Sequence, residues 1–238
     1  MGCDKPVLAC VLLLLSVSSS YASSDVDAAM ASDDYKVTLS LYYESLCPYC
    51  AGFIVNQLRD VLETDLRNVV NLRLVPWGNT QRTPNHTWIC QHGRDECVLN
   101  VVEACAINIW PDLATHFKFI QCIERFELEG KRAQWQSCFG ALGLNPKPVT
   151  DCYNTRAGVD LDLRYADETD RLRPPHRFVP WVLVNNKPLA EDYQNFIAYV
   201  CKAYRGSNKP KACTARRFEI NLSGIPDTRH PVCYARRG

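Results

Sequence analysis

The chain has 238 residues, and its 27 lysines and arginines against 26 aspartates and glutamates leave a formal net charge of +1. Such a balance excludes nucleic acid as an electrostatically held partner. Thirteen cysteines point instead to an oxidising environment and a disulfide framework.

Lys5 precedes an apolar run from Val7 to Val17, and the small residues Ser20 and Ala22 follow at a cleavage position. The run is about half of the ~20 residues that span a bilayer, so residues 1–22 read as a secretory signal peptide. Residues 23–34, SSDVDAAMASDD, are small and acidic and read as a disordered lead-in. No later segment is long enough for a membrane span, so a lumenal or extracellular product is expected. Asn-x-Ser/Thr sequons at Asn85 and Asn221 fit that route as glycosylation sites.

The domain proper is expected over 35–204. Val37, Leu39, Leu41 and Tyr43 alternate with more polar residues, the period of a strand. A helix follows, with Ile54, Leu58, Val61, Leu62 and Asp65 on one stripe, and Val70, Leu72 and Leu74 form a second strand closed by Pro76. Strand–helix–strand with apolar strands predicts a βαβ unit with a parallel pair.

From about residue 80 to 173 the pattern becomes helical and holds Cys90, Cys97, Cys105, Cys122, Cys138 and Cys152. One helix carries Val98, Val101, Val102, Cys105 and Ile109 and stops before Pro111; a second runs from Phe117 to Glu129; a third short segment follows Pro146 and Pro148. Strand character returns in Phe178–Val184, turns at Asn185-Asn186, and continues in a short strand near Lys187–Leu189. A last helix carries Tyr193, Phe196, Ile197, Val200 and Cys201 on one face. The order is α/β: a thioredoxin-like fold with a disulfide-rich helical insertion between an N-terminal βαβ unit and a C-terminal ββα unit. Residues 205–238 form a basic tail; from Lys202 onward nine basic residues stand against two acidic ones.

The chemistry centres on Cys47-Pro48-Tyr49-Cys50, which can be a redox couple, an inert bridge or half a zinc site. Cys47 ends the first strand, and Pro48 takes the favoured first helical position. Unpaired N–H groups and the positive end of the helix dipole stabilise a thiolate there. Cys50 follows one turn deeper, placed to resolve a mixed disulfide. Zinc lacks a second ligand pair, and an inert bridge closing so small a loop stabilises little. Val179-Pro180 adds support, because thioredoxin-like folds commonly set a cis-proline beside the reactive sulfur.

The stretch Cys90–Cys105, CQHGRDECVLNVVEAC, resembles the signature of the gamma-interferon-responsive lysosomal thiol reductase (GILT) family, and the likeness extends to PPHRFVPWVLVNNKPL and the later cysteines, about residues 35–235. The resemblance implies an enzyme that reduces protein disulfides in an acidic lysosomal or vacuolar compartment, or after secretion, with Cys47 as nucleophile and Cys50 as resolving thiol. Precursors of that family often lose a C-terminal segment on maturation, so the tail after about Tyr204 reads as either such a segment or a retained disordered tail. Acid sets a demand: a thiol of pKa ~8.5 is only about 3 in 10,000 thiolate at pH ~5. His176, four residues before Pro180, is a candidate positive neighbour, though loop capping is the plainer role for it. Gln91, His92 and Glu96 read most simply as local caps, and Glu44 as a solvated strand end.

Cys97 and Cys105 lie about 12 Å apart along a helix and cannot pair with each other. Structural bridges are expected among Cys90, Cys97, Cys105, Cys122, Cys138, Cys152, Cys201, Cys213 and Cys233. Nine is odd, so one is left over, with Cys213 and Cys233 the natural candidates and a disulfide-linked homodimer one outlet. Expected partners are disulfide-containing proteins and a thiol reductant, with no cofactor and no metal. Two other functions fit the same motif: a disulfide oxidase or isomerase of the secretory pathway, and a stapled binding glycoprotein with an inert Cys47–Cys50 bridge.

Overall fold

The structure, a computed structural model, describes residues 1–2, 36–84, 87–214 and 232–235. The signal peptide, the lead-in, Asn85, Asn221 and most of the basic tail lie outside the described residues. None of the described helices is long and apolar enough to cross a membrane.

Strands β1 (Val37–Tyr43) and β2 (Val70–Pro76) pair in parallel, with Leu39 opposite Leu72 and Leu41 opposite Leu74. On its other edge β1 pairs antiparallel with β6 (Trp181–Val184), which pairs with β7 (Lys187–Pro188), giving the order β2-β1-β6-β7. Ser40 and Tyr42 of β1 are buried like their apolar neighbours. Both faces of the sheet are therefore covered, as the helical crossover of a parallel pair requires. This is the expected thioredoxin-like core.

The first crossover is less regular than its stripe predicts. Helix α1 (Pro48–Phe53) passes into a π turn over Ile54–Leu58, then into α2 (Asp60–Glu63) and a 3-10 turn over Asp65–Asn68. Ile54, Leu58 and Val61 stay buried, so the stripe survives the change of pitch. Phe53 anchors α1 edge-on to Tyr193 and Phe196 at 5.4 and 5.5 Å.

After β2 comes a two-stranded ribbon, β3 (Gln81–Arg82) with β4 (Trp88–Ile89), which the sequence did not announce. The insert then runs α3 (Arg94–Ile109), α4 (Leu113–Leu128), α5 (Ser137–Ala141), α6 (Pro146–Tyr153) and α7 (Arg156–Asp170). Helix α4 starts before the expected Phe117 because Asp112 caps it, accepting from the Thr115 N–H at 2.9 Å. Helix α7 was unforeseen. Asp162 and Thr169 interrupt its buried side, so no clean apolar stripe marks it. It packs so tightly on α3 and α6 that a Cβ at Gly158 would lie 2.8 Å from Val101 Cγ1.

Disulfides fasten these helices. Cys105–Cys152 joins α3 to α6, Cys122–Cys138 joins α4 to α5, and Cys90–Cys97 ties the preceding loop to the first turn of α3. Cys97 and Cys105 thus reach different elements. Beyond the insert, β5 (Phe178–Val179) and the cis Val179–Pro180 bond precede β6. The chain ends through α8 (Phe196–Ala203), α9 (Lys211–Thr214), bridged to α8 by Cys201–Cys213, and β8 (Cys233–Tyr234), antiparallel to β5.

Candidate active site

Cys47 is the residue that caps α1, with extended backbone (φ −78°, ψ 113°) and its carbonyl accepting from the Ala51 N–H at 3.0 Å. Pro48 and Tyr49 are exposed at the rim, whereas both cysteine side chains are fully buried. The turn ahead of Cys47 is held by α3: the Ser45 N–H donates to Asn100 Oδ1 at 3.0 Å and the Ser45 hydroxyl to the Glu96 carbonyl at 3.4 Å.

Cys233, grouped by sequence with the structural cysteines, is bonded to Cys47, with the two Cα atoms 6.3 Å apart. Cys47 Sγ also lies 4.0 Å from the carbonyl oxygen of Val179, the residue before Pro180. Cys50 is the free thiol among the described residues. Burial pushes it well above the ordinary thiol range; a hydrogen bond from the Glu44 backbone pulls the other way, and the Glu44, Glu124 and Glu96 carboxylates push it further up.

Glu44 is not the solvated strand end that its position suggests, being fully buried. The reversal has a local cause. Gly78, at φ +55°, brings the backbone after β2 so close that a Cβ there would overlap the Glu44 side chain. The next N–H, of Asn79, then donates to Glu44 Oε1 at 2.7 Å. Desolvation, with Glu96 nearby, pushes the Glu44 carboxyl up to about 9.

Gln91, His92 and Glu96 do more than cap α3. The Glu96 carboxylate accepts from the His92 N–H at 3.1 Å, the capping role, and its Oε2 lies 2.5 Å from His92 Nδ1. The far side of that imidazole, Nε2, is 3.6 Å from Cys233 Sγ, and Glu44 Oε2 is 3.7 Å from Nδ1. Gln91 Nε2 donates to the Tyr234 carbonyl at 3.0 Å, and Gln91 Oε1 accepts from Asn79 Nδ2 at 2.7 Å. His176 stands behind this wall, its ring bonded to the Gly78 backbone and its ionisation depressed by burial.

Beneath the wall α3 projects Glu96, Asn100 and Glu103 from successive turns of one face, all buried. Tyr43 donates its hydroxyl to Glu103 Oε2 at 2.5 Å, and desolvation pushes Glu103 up to about 8. Glu44, His92 and Glu96 each offer a ligand atom within 4.8 Å of the others, as do Glu44, Cys47 and Cys233. The first cluster already spends His92 Nδ1 on Glu96, and the second spends both sulfurs on the disulfide. What the assembly can do is exchange disulfides: a sulfur at a helix start, a second thiol one turn behind, and an imidazole at the partner sulfur.

The residues that sequence reasoning undervalued are Glu44, Asn79, Gln91, His92, Glu96 and Asn100. Four of them occupy fixed places in the CQHGRDECVLN stretch, which is itself the signal that could have found them. Asn79 had a weaker one: it follows the carboxyl end of a parallel strand, where α/β folds place their sites.

Residues 38–142 match the sequence profile of the gamma interferon inducible lysosomal thiol reductase (GILT) family. The chain is 42% identical over 193 residues to the gamma-interferon-responsive lysosomal thiol protein of Arabidopsis thaliana, covering 79% of this chain and 80% of that one. It is 39% identical over 205 residues to the gamma-interferon-inducible lysosomal thiol reductase of Mus musculus, covering 83% and 76%. In backbone it resembles BdbD from Bacillus subtilis, with a TM-score of 0.51 at 12% identity over 73% of this chain and 90% of that one. A thiol-disulfide oxidoreductase from Corynebacterium diphtheriae, MdbA, gives 0.50 at 15% identity over 74% and 86%.

Proposed function

The chain belongs to the GILT family and is a thiol reductase of protein disulfides, and we propose that Cys47 is its nucleophile and Cys50 its resolving thiol. One observation carries the assignment. Cys47 is bonded to a cysteine on an added strand while Cys50 waits, free and buried, one turn behind. That is the arrangement of a mixed disulfide before resolution.

In the cycle, the Cys47 thiolate attacks one sulfur of a client disulfide; the S–S bond breaks, and the departing sulfur takes a proton. Cys50 then attacks Cys47 Sγ, its proton passing to the client sulfur that departs. The second client sulfur leaves. Two electrons have passed to the client, Cys47 and Cys50 are joined, and an external thiol reductant returns the electrons by the same exchange.

A lysosome or vacuole is the compartment we infer, with secretion the other outlet. The buried acids Glu44, Glu103 and Asp162 support it, since burial favours their neutral forms. The tail after residue 204 fits a removable prosegment. A disulfide-linked homodimer would require Cys233 to exchange away from Cys47, because every other described cysteine except buried Cys50 is in an intrachain bridge.

Insulin reduction with a thiol reductant, at about pH 5 and pH 7, tests the roles. Cys47→Ser should fall to the uncatalysed rate, and Cys50→Ser should lose turnover. Full activity in Cys47→Ser would overturn the nucleophile assignment. A strongly oxidising potential in a glutathione buffer would favour the oxidase or isomerase reading instead.

A further inference from the structure

Resting on that reductase reading, we infer that the segment 232–235, which carries β8, lies in the client-binding groove as a covalently held substrate mimic, and that Asn79 and Gln91 grip client backbones there. Among the described residues β8 is the strand partner of β5, with Val179 opposite Cys233 and Phe178 opposite Tyr234. The pairing continues where the Ala235 N–H donates to the Arg177 carbonyl at 3.0 Å. An edge of this kind accepts an extended segment by main-chain hydrogen bonds.

The opposite side of the segment is held by side-chain amides. Asn79 Nδ2 donates to the Cys233 carbonyl and Gln91 Nε2 to the Tyr234 carbonyl, both at 3.0 Å. Asn79 Nδ2 also donates to Gln91 Oε1 at 2.7 Å, so each amide fixes the orientation of the other. Asn79 is itself buried.

These contacts read carbonyl groups and no side chain. The residue after the cysteine is constrained little: Tyr234 is 67% exposed, and its ring meets Phe178 edge-on at 6.1 Å. A bridge needed only to pin the C-terminus has no use for paired amides aimed at successive carbonyls. A reductase of varied proteins does. The partner that fits is an extended segment centred on a disulfide-bonded cysteine, its sequence otherwise free, with the cysteine sulfur beside His92 Nε2 as Cys233 Sγ is now.

The test uses the full chain carrying Cys50→Ser and Cys233→Ser, which leaves Cys47 free and blocks resolution. Its substrate is the pentapeptide Pro-Val-Cys-Tyr-Ala with the cysteine joined to nitrothiobenzoate. Attack by Cys47 on the peptide sulfur forms the mixed disulfide and releases the coloured thiolate. Adding Asn79→Ala or Gln91→Ala should slow this release about fivefold each, the worth of one net hydrogen bond. The symmetrical nitrothiobenzoate disulfide, which has no peptide backbone, should react at an unchanged rate in all variants. Equal slowing of both reagents, or of neither, would overturn the groove assignment. Gln91, only half-buried, serves as the variant least able to disturb folding. If Cys47 reacts with neither reagent even before the added changes, the nucleophile assignment itself falls, and the mimic with it.

Discussion

Glu103→Gln should make the protein less sensitive to pH. The carboxyl of Glu103 is fully buried; Oε2 accepts from the Tyr43 hydroxyl, while Oε1 has no hydrogen-bond partner. Desolvation raises it from an ordinary 4.5 to about 8. Between those values the folded chain keeps a proton that the unfolded chain has lost. The contribution to stability is therefore complete below the unfolded value and is lost as pH climbs toward the folded one. The slope is about 1.4 kcal/mol per pH unit per group, so from pH 5 to pH 7 this residue alone removes roughly 2–3 kcal/mol. Glutamine keeps a carbonyl for Tyr43 and carries no charge to desolvate. Guanidinium unfolding followed by tryptophan fluorescence, disulfides intact, reports the difference. The variant and wild type should agree near pH 4.5, and the variant should be the more stable by roughly 3 kcal/mol near pH 7. Equal loss at both pH values would mean that Glu103 acts through packing, and would refute the argument from desolvation.

Glu44→Gln replaces a carboxyl that burial holds neutral up to about 9, so insulin reduction at about pH 5 and pH 7 should keep its rate within about twofold. A loss of about tenfold or more at either pH would show that the side chain works as an ionised proton acceptor, against the argument from burial. Replacing Cys105 and Cys152 together by alanine opens the bridge between α3 and α6, whose ends are 47 residues apart in sequence. The chain-entropy argument sets the cost at about 4 kcal/mol, read as a lowered guanidinium midpoint, and a loss below about 1 kcal/mol would count against it.

The fold was legible where apolar side chains carried one period. Leu39 and Leu41 announced β1, and the run Phe178–Val184 announced the returning strands. Helix α7 was not legible, because its buried side includes Asp162 and Thr169, side chains that sequence reasoning assigns to water. The site divides the same way. Cys47 and Cys50 were conspicuous by their spacing and by Pro48. Glu44 was misjudged because its burial depends on Gly78, 34 residues later, folding over it. His92 and Gln91 were seen as caps, since the strand they face comes from the far end of the chain. No local rule links Gln91 to the carbonyl of Tyr234, 143 residues away.

The bond between Cys47 and Cys233 also fixes how the chain would start work. A molecule stored this way rests at the midpoint of its own cycle, with its first leaving group already loaded. When Cys50 attacks Cys47 Sγ, one S–S bond is traded for another and the C-terminal strand departs as a free thiol. No electrons enter or leave. Opening is thus an internal shuffle, set by access to the Cys50 proton, and reducing equivalents are needed only afterwards, to part Cys47 from Cys50. Cutting the chain upstream of Val232 would free the strand in sequence but not in fact. The severed piece would stay bonded in the groove until Cys50, or a thiol from outside, expelled it.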